Sequence, residues 1–578
     1  MSARNDKPNV IIVITDDQGY ADLGCTGNPW IQTPHIDRFH GDAVRLADFH
    51  VSPLCTPTRG ALMTGHRPVR NGAWATCWGR SILRKDEVTL ADVFSANGYR
   101  TGMFGKWHLG DNYPYRPQDR GFETVVAHKG GGVGQTPDFW GNNYFDDTYF
   151  HNGSPVAHDG YCTDVWFEEA TKFIESDEDR PFFAFISTNA PHSPYLVDEK
   201  YKQPYLGNAD IPSPAFYGMI TNIDENFGRL RERLGELGIE DNTILVFMTD
   251  NGSSGGCTLD AAQFVTQGYN AGLRGKKASY YDGGHRAPFF VRWPKAGLLG
   301  ATDVNEMSLH VDVLPTLIDL CSMEGPEDVA FDGTSLAPLL LDGQTELPED
   351  RVHFLQFRQH TEPPDKWSNA VISRDWRLVG GTELYDIKQD PGQRTNVAAD
   401  HASVLARLRS AHSAWWDEIS PRFAEYCPIS IGHDAENPAR LCAMDVLGDV
   451  AWNQGHILAA QKSTGKWAVD VDRPGNYRFS LRRWPEELDL PIDAELSDEA
   501  AASIAPFQGG QQRVRTMSPV KARLTLFDET EIRDIDPGLK EVAFDLKVDR
   551  SGPTELEAWF TDAAGEDCGA YYVTVQRL

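Results

Sequence analysis

Hydrophobic positions in this chain fall into short saturated runs separated by stretches with a helical period. Four runs stand out: "NVIIVIT" (9–15), "TGMFGKW" (101–107), "PFFAFIST" (181–188) and "NTILVFMT" (242–249). None shows the polar alternation of a half-exposed strand, so each predicts a strand covered on both faces, as in a parallel or mixed sheet. Residues 86–97, 163–176 and 215–237 place apolar side chains at helical spacing and predict the covering layers. The expected class is α/β, a large mixed sheet sandwiched by helices.

The pattern changes beyond "DGTSLAPLL" (332–340). Strands near 352–358, 369–373 and 376–386 and a helix near 400–417 predict a smaller α+β subdomain over 336–430, after an α/β domain over 1–335. Period-two alternation then runs through "GKWAVDVDRPGNYRFSLRRW", "VKARLTLFD", "EVAFDLKVD", "TELEAWFTD" and "AYYVTVQRL". It predicts an additional antiparallel, sandwich-like β module over 431–578. The acidic stretch 485–500 reads as a solvated loop. Trp452, Trp467 and Trp484 of this module read either as a glycan-binding platform or as core, and the module itself as a binding sandwich or a structural cap.

Chemistry enters at the carboxyl end of each saturated run: Asp16 and Asp17 after the first, Lys106 and His108 at the second, "NAPH" (189–192) after the third, Asp250 and Asn251 after the fourth. Ligands of open α/β sheets sit beyond the carboxyl ends of the strands, so these four sets are expected to converge on one crevice. Asp16, Asp17, Asp250 and Asn251 are hard oxygen donors. Gathered together they require a cation, and oxygen-only ligation favours calcium or magnesium over zinc. Either pair alone would read as a turn former; two pairs after two like strands read as a metal site. Lys106 and His108 alternate along extended chain and share one side. With His192 and with Lys277 of "RGKKASYYDGGHRAP" (274–288) they form a cationic site for an anion, although each alone would read as a surface or satisfied core residue.

Net charge sharpens that point. Fifty-four basic against 84 acidic residues give −30, which excludes nucleic acid and an anionic membrane as natural partners and demands a local positive pocket for any anionic substrate. Nine cysteines are too sparse and irregular for a disulfide framework, and no CxxC pair suggests zinc. The N-terminus has no apolar signal region, and no apolar run reaches the ~18 residues of a membrane span. The sequence as given therefore predicts a soluble chain, cytoplasmic as written and periplasmic or secreted if a signal was removed. At 578 residues, two or three domains are expected.

One cysteine stands apart. Cys55 lies in "VSPLCTPTRGALMTG" (51–65), where "RGALMTG" reads as the first turns of a helix. An isolated cysteine is usually a small buried filler. Here a helix N-terminus favours an anion and Arg59 adds a bidentate donor, which suits a nucleophile facing sulfate or phosphate.

"CTPTRGALMTG" and "GMFGKWHLG" are the two signatures of a known family, and "PNVIIVITDDQGYADLG", "NAPHSPY", "TDNG", "GKKASYYDGGHRAP" and "ELYDIKQDP" match it further. Over residues 8 to about 400 the chain resembles the formylglycine-dependent type I sulfatases, arylsulfatase-like members of the alkaline phosphatase superfamily. The resemblance implies the alkaline phosphatase-like sulfatase fold and hydrolysis of a sulfate ester with release of inorganic sulfate. It implies that a formylglycine-generating maturase oxidises Cys55, and that the aldehyde hydrate attacks with one hydroxyl and expels sulfate with the other. It further implies one calcium ion per chain, held by Asp16, Asp17, Asp250, Asn251 and the residue formed from Cys55. Arg59 and Lys106 would hold the hydrate and its oxyanion, His192 and Lys277 would serve the leaving alkoxide, and His108 would take the proton of the second hydroxyl. Asp282 stands where the family more often has glutamate, and His285 is expected to add a ring close to the site. The bracing of Lys277 is left open by that departure.

Loops at 74–81, 128–147 and 356–367 mix aromatic, Arg, His and Asn side chains. That mixture suits a sugar with apolar faces and a hydroxyl rim, although it would also serve to pack long loops. The expected substrate is therefore a sulfated carbohydrate. Rivals on the same scaffold are an arylsulfatase or a phosphate or phosphonate monoester hydrolase; the latter would call for a second metal set or a Ser at position 55. A rival of another class is a non-catalytic glycan-binding protein, against which the intact set of site residues speaks. Nothing in these features specifies an oligomeric state.

Overall fold

The computed structural model describes residues 7–176, 179–342, 346–348, 350–497, 501, 504 and 514–578. Among them, ten strands form the large sheet: β1 (Asn9–Thr15), β2 (Val44–Leu46), β3 (Arg100–Lys106), β4 (Thr124–His128), β5 (Thr148–His151), β6 (Ser154–Ala157), β7 (Phe182–Ser187), β8 (Thr243–Thr249), β9 (Phe289–Arg292) and β10 (Thr302–Val304). Their spatial order is β10-β2-β9-β8-β1-β7-β3-β4-β5-β6. The five central strands β8-β1-β7-β3-β4 are mutually parallel, and β9 and β5 join them antiparallel.

Burial on both faces explains the saturated runs. In β1, Val10, Ile12 and Ile14 pack into one apolar cluster with Leu62, Phe94 and Leu314, while Ile11 and Val13 pack into another with Phe39, Trp166 and Phe227. Successive side chains of a strand point to opposite faces, so a strand covered twice has no position left for a polar residue. Two of the expected helices appear at Cys162–Glu175 and Pro214–Glu236. The third begins at Leu90 rather than 86, because Thr89 caps it: Asp92 N donates to Thr89 Oγ1 at 3.1 Å and Thr89 N to Asp92 Oδ2 at 2.8 Å.

A four-stranded antiparallel sheet follows, Val352–Gln356, Asn369–Ser373, Trp376–Val379 and Glu383–Asp386, with helix Ala402–Ile419 packed on it. The stretch 376–386 is thus a hairpin, turning where Gly380 and Gly381 take φ of 60° and 68°. Arg377 ties this sheet to the main body. It is fully buried, its Nε donates to Asp282 Oδ1 at 3.0 Å, and its Nη2 lies 3.0 Å from His50 Nε2.

The C-terminal region is two β-sheets around one core. Lys466–Val471, Pro519–Leu526, Glu529–Asp534, Gly552–Asp562 and Asp567–Gly569 share a sheet with Ile429–Ile431, which pairs parallel rather than antiparallel with Lys466–Val471. Ala439–Cys442, Gly475–Arg482, Val542–Val548 and Tyr572–Arg577 form the other. Trp467 and Trp484 are core residues, 0% and 1% exposed, and so are no surface platform. Trp467 also donates Nε1–H to Cys442 O at 2.8 Å. Within the expected acidic loop, Glu486–Leu488 forms a 3-10 turn, and residues 498–500 lie outside the described residues, as do residues 1–6 of the N-terminal segment. Among the described residues no helix is long and apolar enough to cross a membrane.

Replacing a buried tryptophan by alanine loses its transfer energy and leaves a cavity. Trp467→Ala should therefore lower stability by about 3–5 kcal/mol in a urea titration. Unchanged stability would contradict its core placement.

Candidate active site

The parallel register brings the acids together. Thr15 of β1 lies opposite Thr249 of β8, so Asp16–Asp17 and Asp250–Asn251 leave adjacent strands side by side. Asp17 then turns through a left-handed φ of 69° and its N–H donates to Asp250 Oδ1 at 3.0 Å. Asp16, Asp17 and Asp250 are buried and each offers an oxygen within 4.8 Å of the others. Burial and the neighbouring Asp16 push Asp250 up to about 6. Burial also works against the charge of Asp17, yet Lys277, His192 and Lys106 hold its carboxyl well below the usual range.

Two buried acceptors in this cluster have no hydrogen bond, Asp16 Oδ1, with Arg59 Nη2 4.0 Å away, and Asn251 Oδ1. The amide of Asn251 is spent on Asp17 Oδ1 and Gly252 O, each at 3.0 Å, which fixes its carbonyl oxygen as the free end. A buried acceptor without a partner costs about 1–3 kcal/mol. Two orphaned oxygens beside three carboxylates fit a hard divalent cation.

Three cations face the three acids. Arg59 sits one turn into helix Cys55–Thr64 and donates Nε and Nη2 to Asp250 Oδ2 at 3.1 and 2.8 Å. Its Nη1 reaches Lys106 O at 3.2 Å and the Ser187 hydroxyl. Lys106 Nζ donates to Asp16 Oδ2 at 2.6 Å, and Lys277 Nζ to Asp17 Oδ2 at 2.7 Å.

Cys55 opens its helix and is only 2% exposed. Burial pushes its thiol up against the pull of Lys106 and Lys277, so it is a neutral thiol and a poor nucleophile as it stands. Its Sγ lies 3.5 Å from His108 Nδ1. The other ring nitrogen of His108 is 2.9 Å from Thr76 O and must carry the hydrogen, which leaves Nδ1 as the acceptor aimed at Cys55. Burial, with Lys106 alongside, holds His108 well below its usual value and therefore neutral. His108 itself takes a φ of 59°. Gly131 packs on its ring so closely that a Cβ there would meet His108 Cε1 at 2.2 Å.

His192 has its Nδ1 2.6 Å from Ser193 O, so Nε2 turns inward and stands 3.7 Å from Asp17 Oδ2. Burial brings its pKa down to about 4 although Asp17 opposes that shift. The sequence-predicted set thus meets in one place. His285 is the exception: its Nδ1 is 3.0 Å from His50 Nδ1 and its Nε2 3.6 Å from Asp282, so the ring serves the joint with the small sheet. Asp282 is engaged by Arg377, and Lys277 is braced by Asp17 instead.

A cleft of about 900 Å³ opens above Asp17, Cys55, His108, His192 and Lys277. Its walls include Thr76, Trp78, Gly131, Gln135, Gln359 and Trp452, which places parts of all three loops 74–81, 128–147 and 356–367 at the site. Sequence reasoning missed Ser187, Thr76 and Gly131 as supports of Arg59 and His108. Ser187 alone left a trace, as the polar end of an apolar run.

Residues 8–323 match the family described as Sulfatase, and residues 273–413 match N-sulphoglucosamine sulphohydrolase, C-terminal. The chain is 29% identical to Arylsulfatase A of Homo sapiens over 467 residues, covering 70% of this chain and 86% of that protein. It is 29% identical to Ulvan-active sulfatase of Formosa agariphila over 425 residues, covering 68% and 77%. A solved structure of Ps i-CgsB in complex with k-i-k-neocarrahexaose superposes with a TM-score of 0.64 at 26% identity, covering 73% of this chain and 95% of that one.

The donor set generates a prediction that needs no turnover. Titration with calcium chloride should show one binding event per chain and raise thermal stability, by about 2.7 kcal/mol at a hundred times Kd. Asp16→Asn should abolish both effects. Absence of binding by calcium and magnesium alike in the wild type would overturn the metal assignment.

Proposed function

The chain belongs to the sulfatase family and is a sulfuric ester hydrolase, and from that premise we propose that it removes sulfate from a sulfated carbohydrate with residue 55 as nucleophile. The observation that carries this reading is the position of Cys55, whose Sγ faces the free lone pair of His108 at 3.5 Å beside the buried carboxylates. Similarity to an ulvan-active sulfatase and to a protein solved with k-i-k-neocarrahexaose supports the carbohydrate, as does a cleft of about 900 Å³ with aromatic walls.

Formylglycine made from Cys55 by a maturase would supply an aldehyde hydrate, with one hydroxyl to attack sulfur and one to expel sulfate. Asp16, Asp17, Asp250, Asn251 and residue 55 would hold a calcium ion, which would supply Lewis-acid polarisation of the sulfate oxygens. Arg59 and Lys106 supply fixed positive charge against the oxygens of residue 55 and of the sulfate. His108 accepts the proton of the second hydroxyl at Nδ1, the nitrogen that Thr76 leaves free. Lys277 and His192 line the cleft beside residue 55 and are the groups to serve the leaving oxygen, which needs a proton. His192 is neutral in the free chain because of burial, and the negative charge of an arriving sulfate favours its imidazolium.

Protein co-produced with a formylglycine-generating enzyme should release inorganic sulfate from at least one member of a panel of sulfated mono- and oligosaccharides. Cys55→Ala should reduce release to background while its circular dichroism stays unchanged; substantial residual activity would overturn the role of residue 55. A subtler test is Gly131→Ala, which drives a methyl into the His108 ring. It should lower kcat by about 10²-fold, the usual result of displacing a catalytic group by an ångström. Calcium affinity should be unaffected, and an undiminished kcat would remove His108 from the mechanism.

A further inference from the structure

The C-terminal sandwich reaches into the active-site cleft. Of the three tryptophans that mark its sequence, Trp467 and Trp484 are sealed in its core, whereas Trp452 is partly exposed and lines the cleft that holds Cys55 and His108. The segment carrying Trp452 is fastened to the loop bearing Gly131. Thr136 N donates to Trp452 O at 3.1 Å, and the Thr136 hydroxyl donates to Ala451 O. Gln454, fully buried, donates to Phe139 O at 3.2 Å and accepts from Gly141 N at 3.0 Å. Tyr572 adds a bond from its hydroxyl to Thr136 O at 3.0 Å. The indole of Trp452 stands edge-on to His456 with ring centroids 5.1 Å apart, so its orientation is set as well as its position.

A second indole in the same cleft is held by the same module. Trp78 takes a φ of 66°, a conformation that a bulky residue adopts only when its surroundings require it. Its N–H donates to Met444 O of the sandwich at 3.1 Å, and its ring packs both on the sandwich core and on the core beneath the small sheet. Two partly exposed indoles in one cleft with charged side chains suit a pyranose, whose C–H face lies on an aromatic ring while its rim meets polar groups.

We propose that Trp452 and Trp78 form the aromatic wall on which the substrate's sugar ring stacks, so that the C-terminal sandwich is part of the substrate site. This rests on the carbohydrate reading above. The sandwich then governs which saccharide is accepted, while the strand ends carry the sulfate chemistry.

The test uses the full-length, formylglycine-bearing protein and the sulfated saccharide that the wild type turns over fastest. Trp452→Ala should raise KM about tenfold, the scale of losing one aromatic anchor, with kcat essentially unchanged. Trp452→Phe should restore most of the loss. Trp78→Gly should also raise KM; glycine occupies that backbone without strain, and the melting temperature should fall only by the packing of the lost ring on the two cores. Unchanged KM in Trp452→Ala and Trp78→Gly would overturn the proposal. So would a fall in kcat and melting temperature that phenylalanine does not rescue, since that marks a purely structural role. If the wild type releases sulfate from an aryl sulfate and from no saccharide, the carbohydrate reading fails first and the stacking wall falls with it.

Discussion

Three carboxylates and three cations share one pocket, buried except for the partly exposed Lys277, and the rest of the architecture depends on keeping them matched. Leaving one charge of a buried pair alone typically costs about 3–5 kcal/mol, so none of Asp16, Asp17, Asp250, Arg59, Lys106 or Lys277 is free to drift. The pairing of Arg59 with Asp250 fixes more than charge. Residues four apart on a helix share a face, so seating Arg59 on that carboxylate aims residue 55, one turn earlier, at the same acids. The helix therefore presents its first residue to the strand ends because its fifth is ion-paired there. Three positive groups against three negative ones leave this pocket neutral in a chain of net charge −30. A divalent cation held by the acids would turn it positive and so favour an arriving sulfate in so acidic a protein.

The parallel core of the sheet decides where this happens. β1, β7, β8 and β3 all end on one edge, in registers that set Thr15 opposite Thr249 and Ser187 between Ile14 and Gly105. Four loops leave that edge, and the polar residues at the ends of the strands or just beyond them, Asp16, Lys106, Ser187 and Asp250, gather there. The left-handed turns at Asp17 and His108 are the points at which the chain bends away from strand direction to face the pocket. Strained backbone at these strand ends thus falls on residues with a chemical task.

Much of this was legible in the sequence, and the reason is local. Saturated apolar runs give the strands, and the first polar residues after them give the acids and bases. Misjudged or missed features have non-local causes or turn on single residues. Helix Leu90–Ala96 starts late because Thr89 caps it, and the stretch 376–386 splits because two glycines turn it. Arg377 and Asp282 are 95 residues apart, and no pattern along the chain announces their union. Trp467 was decidable from periodicity alone, since "KWAVDV" alternates and places it with Val469 and Val471 on the buried face. Trp452 sits outside any strand, so periodicity is silent about it, and only the fold brings it to a cleft whose floor begins at Asp17.

The cleft's walls and His108 are not independent parts. Gln359, from beyond the first strand of the small sheet, accepts from Thr76 N at 3.1 Å, and the carbonyl of Thr76 takes the hydrogen of His108 Nε2. Two residues later Trp78 is tied to Met444 of the sandwich. The loop 74–81 is thus held from the small sheet on one side and from the sandwich on the other, while its middle sets the tautomer of the histidine that faces residue 55. A sandwich that served only to retain a polysaccharide would have no need to fasten itself to the backbone two residues from the carbonyl that orients the base. Its bonds to Trp78 and Thr136 make it a structural partner of the cleft, and the same bonds bring aromatic surface to the cleft wall. Selectivity and reactivity then meet in one loop, and a change in the wall that shifts Trp78 also bears on Thr76 and the lone pair it leaves to His108.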